Sequence, residues 1–197
     1  MRSRVFRCLL LVGTALLMQP AGGSDSNSTR STITIHVNKS GLFSAFAHNH
    51  VVVAPIAQST LDPRRMTAEI TVHSRDLKVT DPGDSDSTRA EIQTTMLGPK
   101  VLDAAKYPEI HFTSSRIEQT SPEHFRVMGN LELHGAKKEL VFEVAWSSDH
   151  YHGTTKLKQT DFGIQPVSIG GGTVKVKDVV EVEFDVYGEQ PATGNHR

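Results

Sequence analysis

The chain has 197 residues, of which 21 are Lys or Arg and 22 are Asp or Glu, giving a net charge of −1 at pH 7. Neither sign forms a long block, which argues against a nucleic-acid surface. The single cysteine, Cys8, excludes a disulfide framework within the chain.

The first residues carry Arg2, Arg4 and Arg7, then an apolar run from Cys8 to Met18, then Pro20-Ala21-Gly22-Gly23. This order reads as a secretory signal peptide over residues 1–23. The apolar run spans about 11 residues where a membrane helix needs about 20, so an uncleaved anchor is the weaker reading. Cleavage removes Cys8 and leaves a soluble, thiol-free protein, periplasmic or secreted. Residues 24–31, SDSNSTRS, and residues 189–197 read as flexible tails. Roughly 174 residues follow the leader, which suits one domain over 32–188.

Strands are expected at 32–37, 41–53, 66–73, 110–117, 125–133, 140–146, 150–160 and 174–186. In 66–73, Met, Ala, Ile and Val alternate with Thr, Glu, Thr and His, the period of a half-buried strand. Phe125, Val127, Gly129, Leu131 and Leu133 repeat it, and Leu140, Phe142, Val144 and Trp146 share the face of the following strand. The series from Val174 to Val186 is long enough to predict one bent or bulged strand. One segment breaks the pattern. Ser87, Thr88 and Glu91 supply helix-start chemistry, Ile92, Met96 and Leu97 a helical stripe, and Gly98-Pro99 a stop followed by a second short turn. The fold class is therefore all-β: an eight-stranded antiparallel barrel with a short helical insertion at 86–104. On the residues alone, the small or slender inner set (Ala68, Val127, Gly129, Val144, Val182) allows either a packed core or space for a slim apolar molecule.

Three spaced signatures go further. Residues 89–114, RAEIQTTMLGPKVLDAAKYPEIHFTS, resemble the helix-to-strand segment of the YceI-like family. Residues 129–144, GNLELHGAKKELVFEV, resemble that family's G-x-L-x-x-x-G-x-x-K-x-x-x-x-x-V hairpin, and Asp161-Phe162-Gly163-Ile164 resembles its S/T-D-F-G-I signature, with Lys158 or Gln159 standing near the usual Arg. The resemblance runs over 32–188 and implies a lipocalin-like barrel that holds a long isoprenoid chain. It implies sequestration or carriage, not catalysis, and no cofactor. The cavity residues expected on this basis are Phe43, Ile70, Met96, Phe112, Leu131, Phe142, Trp146, Phe162 and Phe184. The first strands depart from the family: LFSAFAHNHVVVAP replaces the usual ending in a Gly-x-Phe turn, and Pro55-Ile56 take that turn, which bears on the ligand or head group that fits.

The competing reading is a metal site. His48 and His50 lie two apart, on one face of a strand, and neutral imidazole suits zinc or copper, but a third ligand is needed and cannot be assigned from spacing. His150 and His152 alternate likewise beside a hairpin and read as a solvated rim. His48-Asn49-His50 is not a nuclease motif, because such nucleases spread their residues over separate elements. Gly170-Gly171-Gly172 precedes a strand and not a helix, so it reads as a turn and not a phosphate loop. No Gly-x-Ser-x-Gly elbow supports a hydrolase. The sequence leaves oligomeric state open.

Export of the full chain from a bacterial host should yield a protein cleaved between residues 21 and 24. Intact-mass measurement checks this, and recovery of a membrane-bound species that retains Met1 would refute it.

Overall fold

The computed structural model describes residues 30–40, 49–169 and 174–189. Alternating segments form strands β1 (Thr32–Val37), β2 (Lys39–Ser40), β3 (His50–Pro55), β4 (Gln58–Asp62), β5 (Thr67–His73) and β6 (Lys78–Val79). After helix α1 (Asp86–Leu97) come β7 (Glu109–Ser121), β8 (His124–Leu133), β9 (Ala136–Ser147), β10 (His150–Lys158), β11 (Ser168–Ile169), β12 (Val174–Val176) and β13 (Val179–Tyr187). One antiparallel sheet has the order β4-β5-β7-β8-β9-β10-β13-β1-β3-β6, and a small sheet has the order β11-β12-β2.

The larger sheet closes through a change of partner. β3 pairs with β1 as far as Pro55, and β4 pairs with β5 from Gln58. Between them Ile56 N–H donates to Ser31 O at 3.5 Å and Ala57 N–H to Thr71 O at 2.9 Å. A single bent segment, residues 50–62, thus hands its hydrogen bonds from one side of the sheet to the other. Counting β3 and β4 as that one strand, the wall is β1, β3–β4, β5, β7, β8, β9, β10 and β13, the eight expected strands; β4 itself, with its polar sequence QSTLD, shows no apolar alternation to predict it.

Turns and bulges set the curvature. His134 (φ 51°) and Gly135 (φ 76°) form a two-residue turn with both central residues left-handed, which matches the strand twist joining β8 to β9. Register shifts in β7 at Ser114/Arg116 and Gln119/Ser121 bend that strand. At the first shift the Ser114 hydroxyl accepts from Ala68 N–H at 2.8 Å, satisfying a donor just beyond the β5–β7 ladder.

Several expectations need correction. The segment 174–186 is two strands: the ladder breaks at Lys177-Asp178, because the Asp178 carboxylate accepts from Thr160 N–H (2.9 Å) and the Thr160 hydroxyl (2.8 Å). The Thr160 N–H, then its hydroxyl, hold the Asp178 carboxyl below the ordinary carboxylate range. β12 joins the small sheet instead. Of the expected strand 41–53, residues 41–48 lie outside the described residues, and the strand seen begins at His50. Residues 150–160 end early, in a short 3-10 turn over Gln159–Phe162. The insertion is helical only over Asp86–Leu97. Its cap is Ser85, whose hydroxyl accepts from Thr88 N–H at 3.1 Å, just before the Ser87-Thr88 start expected from sequence. Ser31, placed by sequence in the polar N-terminal segment, is 1% exposed and accepts from Tyr187 N–H at 3.0 Å.

Helix α1 lays Ile92, Met96 and Leu97 against one end of the barrel core. Its Gln93 replaces a missing strand: the side-chain oxygen accepts from Val79 N–H (2.8 Å) and the nitrogen donates to Leu77 O (2.7 Å), covering the open edge of β6. Below it, Asp81 is 1% exposed. Its carboxylate accepts from His50 Nδ1 (2.5 Å) and Val51 N–H (2.6 Å) and so ties the start of β3 to the segment entering the helix.

Asp81→Ala should lower the unfolding free energy by about 3 kcal/mol, since it orphans a buried N–H and an imidazole together. The exposed Asp76→Ala should stay within about 0.5 kcal/mol. Urea denaturation of both variants measures the difference.

Candidate functional site: an apolar barrel interior

Alternation points one residue in two inward, and the inward residues do not fill the space. A cavity of about 170 Å³ lies along the barrel, with wall residues from every one of the eight strands, among them Ile33, Ile70, Phe112, Val144, Tyr151 and Val182. Among its lining residues the polar side chains are Asp62, Thr67, Tyr151 and Thr155; the rest are apolar.

Its centre is a row of rings. Phe112 and Phe142 lie 5.5 Å apart between centroids, and Phe142 and Phe184 lie 5.3 Å apart with their planes at 71°. Tilted and edge-on packing of this kind is the favoured geometry of aromatic quadrupoles. Two glycines make room for it. A Cβ on Gly129 would stand 2.5 Å from Phe112 Cζ, and one on Gly153, directly opposite Phe184 in the β10–β13 register, would run into the Phe184 ring. Glycine lets each ring lie flat across the neighbouring strand.

The two ends differ. At one end the cavity reaches the turn between β4 and β5, where Asp62, Pro63 and Met66 line it and Arg64 and Arg65 are exposed. Asp62 accepts from Arg64 and Arg65 N–H, and the Arg65 N–H lowers its carboxyl most. Near this end Tyr151 donates to Glu189 O at 3.0 Å, and burial pushes its phenol up to about 12, so it remains a neutral donor at physiological pH.

The other end is a solid floor. Phe162 (2% exposed) and Ile164 (4%) pack with Leu102, Val52 and Val79. The Tyr107 ring stands 4.6 Å from the His134 ring, and His134 Nδ1 donates to Phe162 O at 3.1 Å. Gly163, at φ 73°, ends the 3-10 turn in the left-handed conformation that glycine adopts without strain. The three sequence signatures therefore meet here: Tyr107 of the first, the His134-Gly135 turn of the second, and Phe162-Gly163 of the third.

Of the cavity residues expected from sequence, Ile70, Phe112, Leu131, Phe142 and Phe184 line the space. Phe162 is in the floor. Trp146 is 7% exposed and packs outside the lining, its ring 4.7 Å from that of Tyr151. Met96 lines a separate groove of about 570 Å³ between α1, β3, β6 and the small sheet. Phe43 and His48 lie outside the described residues. Sequence reasoning missed Tyr151, Leu61 and Leu157 among the lining residues; the alternation of β10 carries a signal for Tyr151 and Leu157, and β4 carries none for Leu61. As for metal ligands, His50, Asp81 and Asp84 present donor atoms within 4.8 Å of one another, but His50 and Asp81 already bond each other.

Residues 25–187 match the description of the YceI-like domain. The chain belongs to this family. An uncharacterised-family (UPF0312) protein of Azotobacter vinelandii is 31% identical over 108 residues, 50% of this chain and 56% of that one. A UPF0312 protein of Shewanella sp. (strain W3-18-1) is 24% identical over 170 residues, 79% of this chain and 85% of that one. Across the Azotobacter and Pseudomonas savastanoi relatives the matched stretch covers only 56% and 38% of their length. Among solved structures, BcnA of Burkholderia cenocepacia superposes with a TM-score of 0.60 at 18% identity, over 81% of this chain and 97% of that one. At that identity the likeness speaks to the fold. In this YceI-like domain, then, a lipocalin-like barrel combines a mostly apolar upper cavity with a floor built from its most recognisable motifs.

Gly153→Ala should cost about 1–3 kcal/mol by driving Phe184 off its place. Adding Phe184→Leu in the same chain should recover part of that loss. A double-mutant cycle of thermal melts measures the coupling.

Proposed function

We propose that this YceI-like domain binds a polyisoprenoid, an isoprenoid quinone or polyprenyl-type chain, and sequesters or carries it outside the cytoplasm without chemical change. The observation that carries the reading is the cavity of about 170 Å³ whose lining, drawn from all eight strands, is apolar around the Phe112-Phe142-Phe184 row. An apolar cavity near 150 Å³ stays dry and accepts a benzene-sized guest, so this one seats the end of a slim chain while the rest leaves past the Asp62–Met66 turn.

Burial of methyl-bearing chain against such a wall contributes about 25 cal/mol per Å² and asks for few polar partners. Chains of several lengths then fit the same wall. Binding is favoured over turnover because the described lining is apolar apart from Asp62, Thr67, Tyr151 and Thr155, with Asp62 at the rim and Tyr151 tied to Glu189 O. Carriage outside the cytoplasm rests on the leader-like start of the chain, and a near-neutral surface gives no reason to expect nucleic acid as a partner.

Ala68 and Val144 both line the cavity. Ala68→Phe or Val144→Trp should fill it, abolish co-purifying lipid and cost about 1–3 kcal/mol in stability. Organic extraction with native mass spectrometry measures lipid per mole of folded protein. Quenching of Trp146, whose ring lies 4.7 Å from that of the lining Tyr151, reads the binding of an added isoprenoid quinone. Wild-type protein with neither extractable lipid nor saturable quenching would end the lipid reading.

A further inference from the structure

The outer face of the barrel carries a second constellation that the lipid reading does not use. Period-two alternation puts Tyr151 and Gly153 inward and therefore His150 and His152 outward on β10. On β13 it puts Val182, Phe184 and Val186 inward, and Glu183 and Asp185 outward. On β1, Ile35 is paired with Val182, so His36 faces out beside them. Register does the rest. His152 lies directly opposite Asp185, with Glu183 two residues along the same face.

The side chains converge. His152 Nδ1 lies 2.9 Å from Asp185 Oδ1, and His150 Nε2 lies 3.4 Å from that same oxygen. His36 Nε2 lies 3.6 Å from Glu183 Oε2. His152, Glu183 and Asp185 each present a donor atom within 4.8 Å of the others. One carboxylate oxygen of Asp185 thus faces two rings, while the other nitrogen of His150, Nδ1, lies 3.4 Å from Asp149 Oδ1. Three imidazoles and two carboxylates thus span three adjacent, hydrogen-bonded strands.

We propose that His152, Glu183 and Asp185, flanked by His150 and His36, form a surface site for a divalent transition-metal ion of the zinc or copper class. Imidazole nitrogen with carboxylate oxygen and no thiolate is the donor set of those ions, whereas calcium and magnesium take oxygen alone. Metal–ligand bonds of about 2.0–2.2 Å bring tetrahedral ligands to about 3.5 Å from one another, which rotamer changes of these side chains reach from their present separations. The side chains of His152, Glu183 and Asp185 are 41%, 42% and 35% exposed, so an ion enters without opening the barrel. Two carboxylates beside the imidazoles offset the charge of a dication. The ion would bridge β10 and β13 on the outside while the cavity stays occupied or empty on the inside.

The test uses the leader-free protein without a polyhistidine tag, titrated by calorimetry with zinc chloride and, separately, with copper(II) chloride. The expected result is one equivalent of metal bound by the wild type, with affinity reduced at least tenfold in His152→Gln and in Asp185→Asn, and retained in His50→Gln. Copper-loaded wild type should show imidazole nitrogen couplings in its electron paramagnetic resonance spectrum, and His152→Gln should lose part of them. Metal-free thermal melts confirm that each variant is folded; if His152→Gln does not melt cooperatively, Asp185→Asn and Glu183→Gln carry the comparison. No saturable binding by the wild type, or binding unchanged in the folded variants, overturns the proposal. Loss of binding in His50→Gln with retention in His152→Gln also overturns it, by moving the metal to His50, Asp81 and Asp84.

Discussion

The barrel rests on one handover of hydrogen bonds. At Ile56 the backbone still donates towards β1 through Ser31, and at Ala57 it already donates to β5 through Thr71. A sheet that ended at either point would expose an edge of unpaired N–H and C=O groups, which is costly and invites association. The bend lets one segment serve both sides, and every inward residue of the wall then faces the same interior. Pro55 sits at the change of partner, where its missing N–H leaves no gap in a ladder. Tying down the start of this segment is the task of Asp81, buried and engaged by His50 and Val51.

Once closed, the interior divides according to side-chain volume. At the floor, Phe162, Ile164, Leu102 and their neighbours pack to near-complete burial, locked by the Tyr107–His134 stack and the bond from His134 to Phe162 O. Higher up, slender residues such as Ala68 and Val144 leave room that the three phenylalanines frame but do not fill. The glycines at 129 and 153 are part of the same arrangement, because a side chain at either would push a ring out of the wall and into the cavity. The motifs by which the family is most easily recognised thus build the closed end, and the open space is bounded by less distinctive alternation.

Inner and outer faces of the same strands also divide the chemistry. On β10 and β13, Tyr151, Gly153, Phe184 and Val186 look inward at an apolar space, while His150, His152, Glu183 and Asp185 look outward at water. Neither set intrudes on the other, since a strand sends successive side chains to opposite sides. An apolar interior and a polar outer constellation can therefore share one wall without conflict in burial or charge.

What the sequence by itself determined is local. Alternation of period two marked most of the wall strands and their inward faces, the family resemblance together with that alternation pointed to Ile70, Phe112, Leu131, Phe142 and Phe184 as neighbours of one interior, and the stripe of Ile92, Met96 and Leu97 marked the helix. Only the tertiary structure decided which inward residues face open space and which are packed. Trp146 and Phe162 look like cavity aromatics in the sequence, but one is packed against Phe125, Val127 and Val144 beside Tyr151 and the other lies in the floor; Met96 belongs to the groove under α1. The break at Asp178, the partner of His50 in Asp81, and the meeting of His152 with Asp185 were likewise hidden. The reason is physical: periodicity follows from the geometry of a single strand, whereas register, curvature and the meeting of residues more than thirty positions apart are set by how the closed sheet pairs with itself.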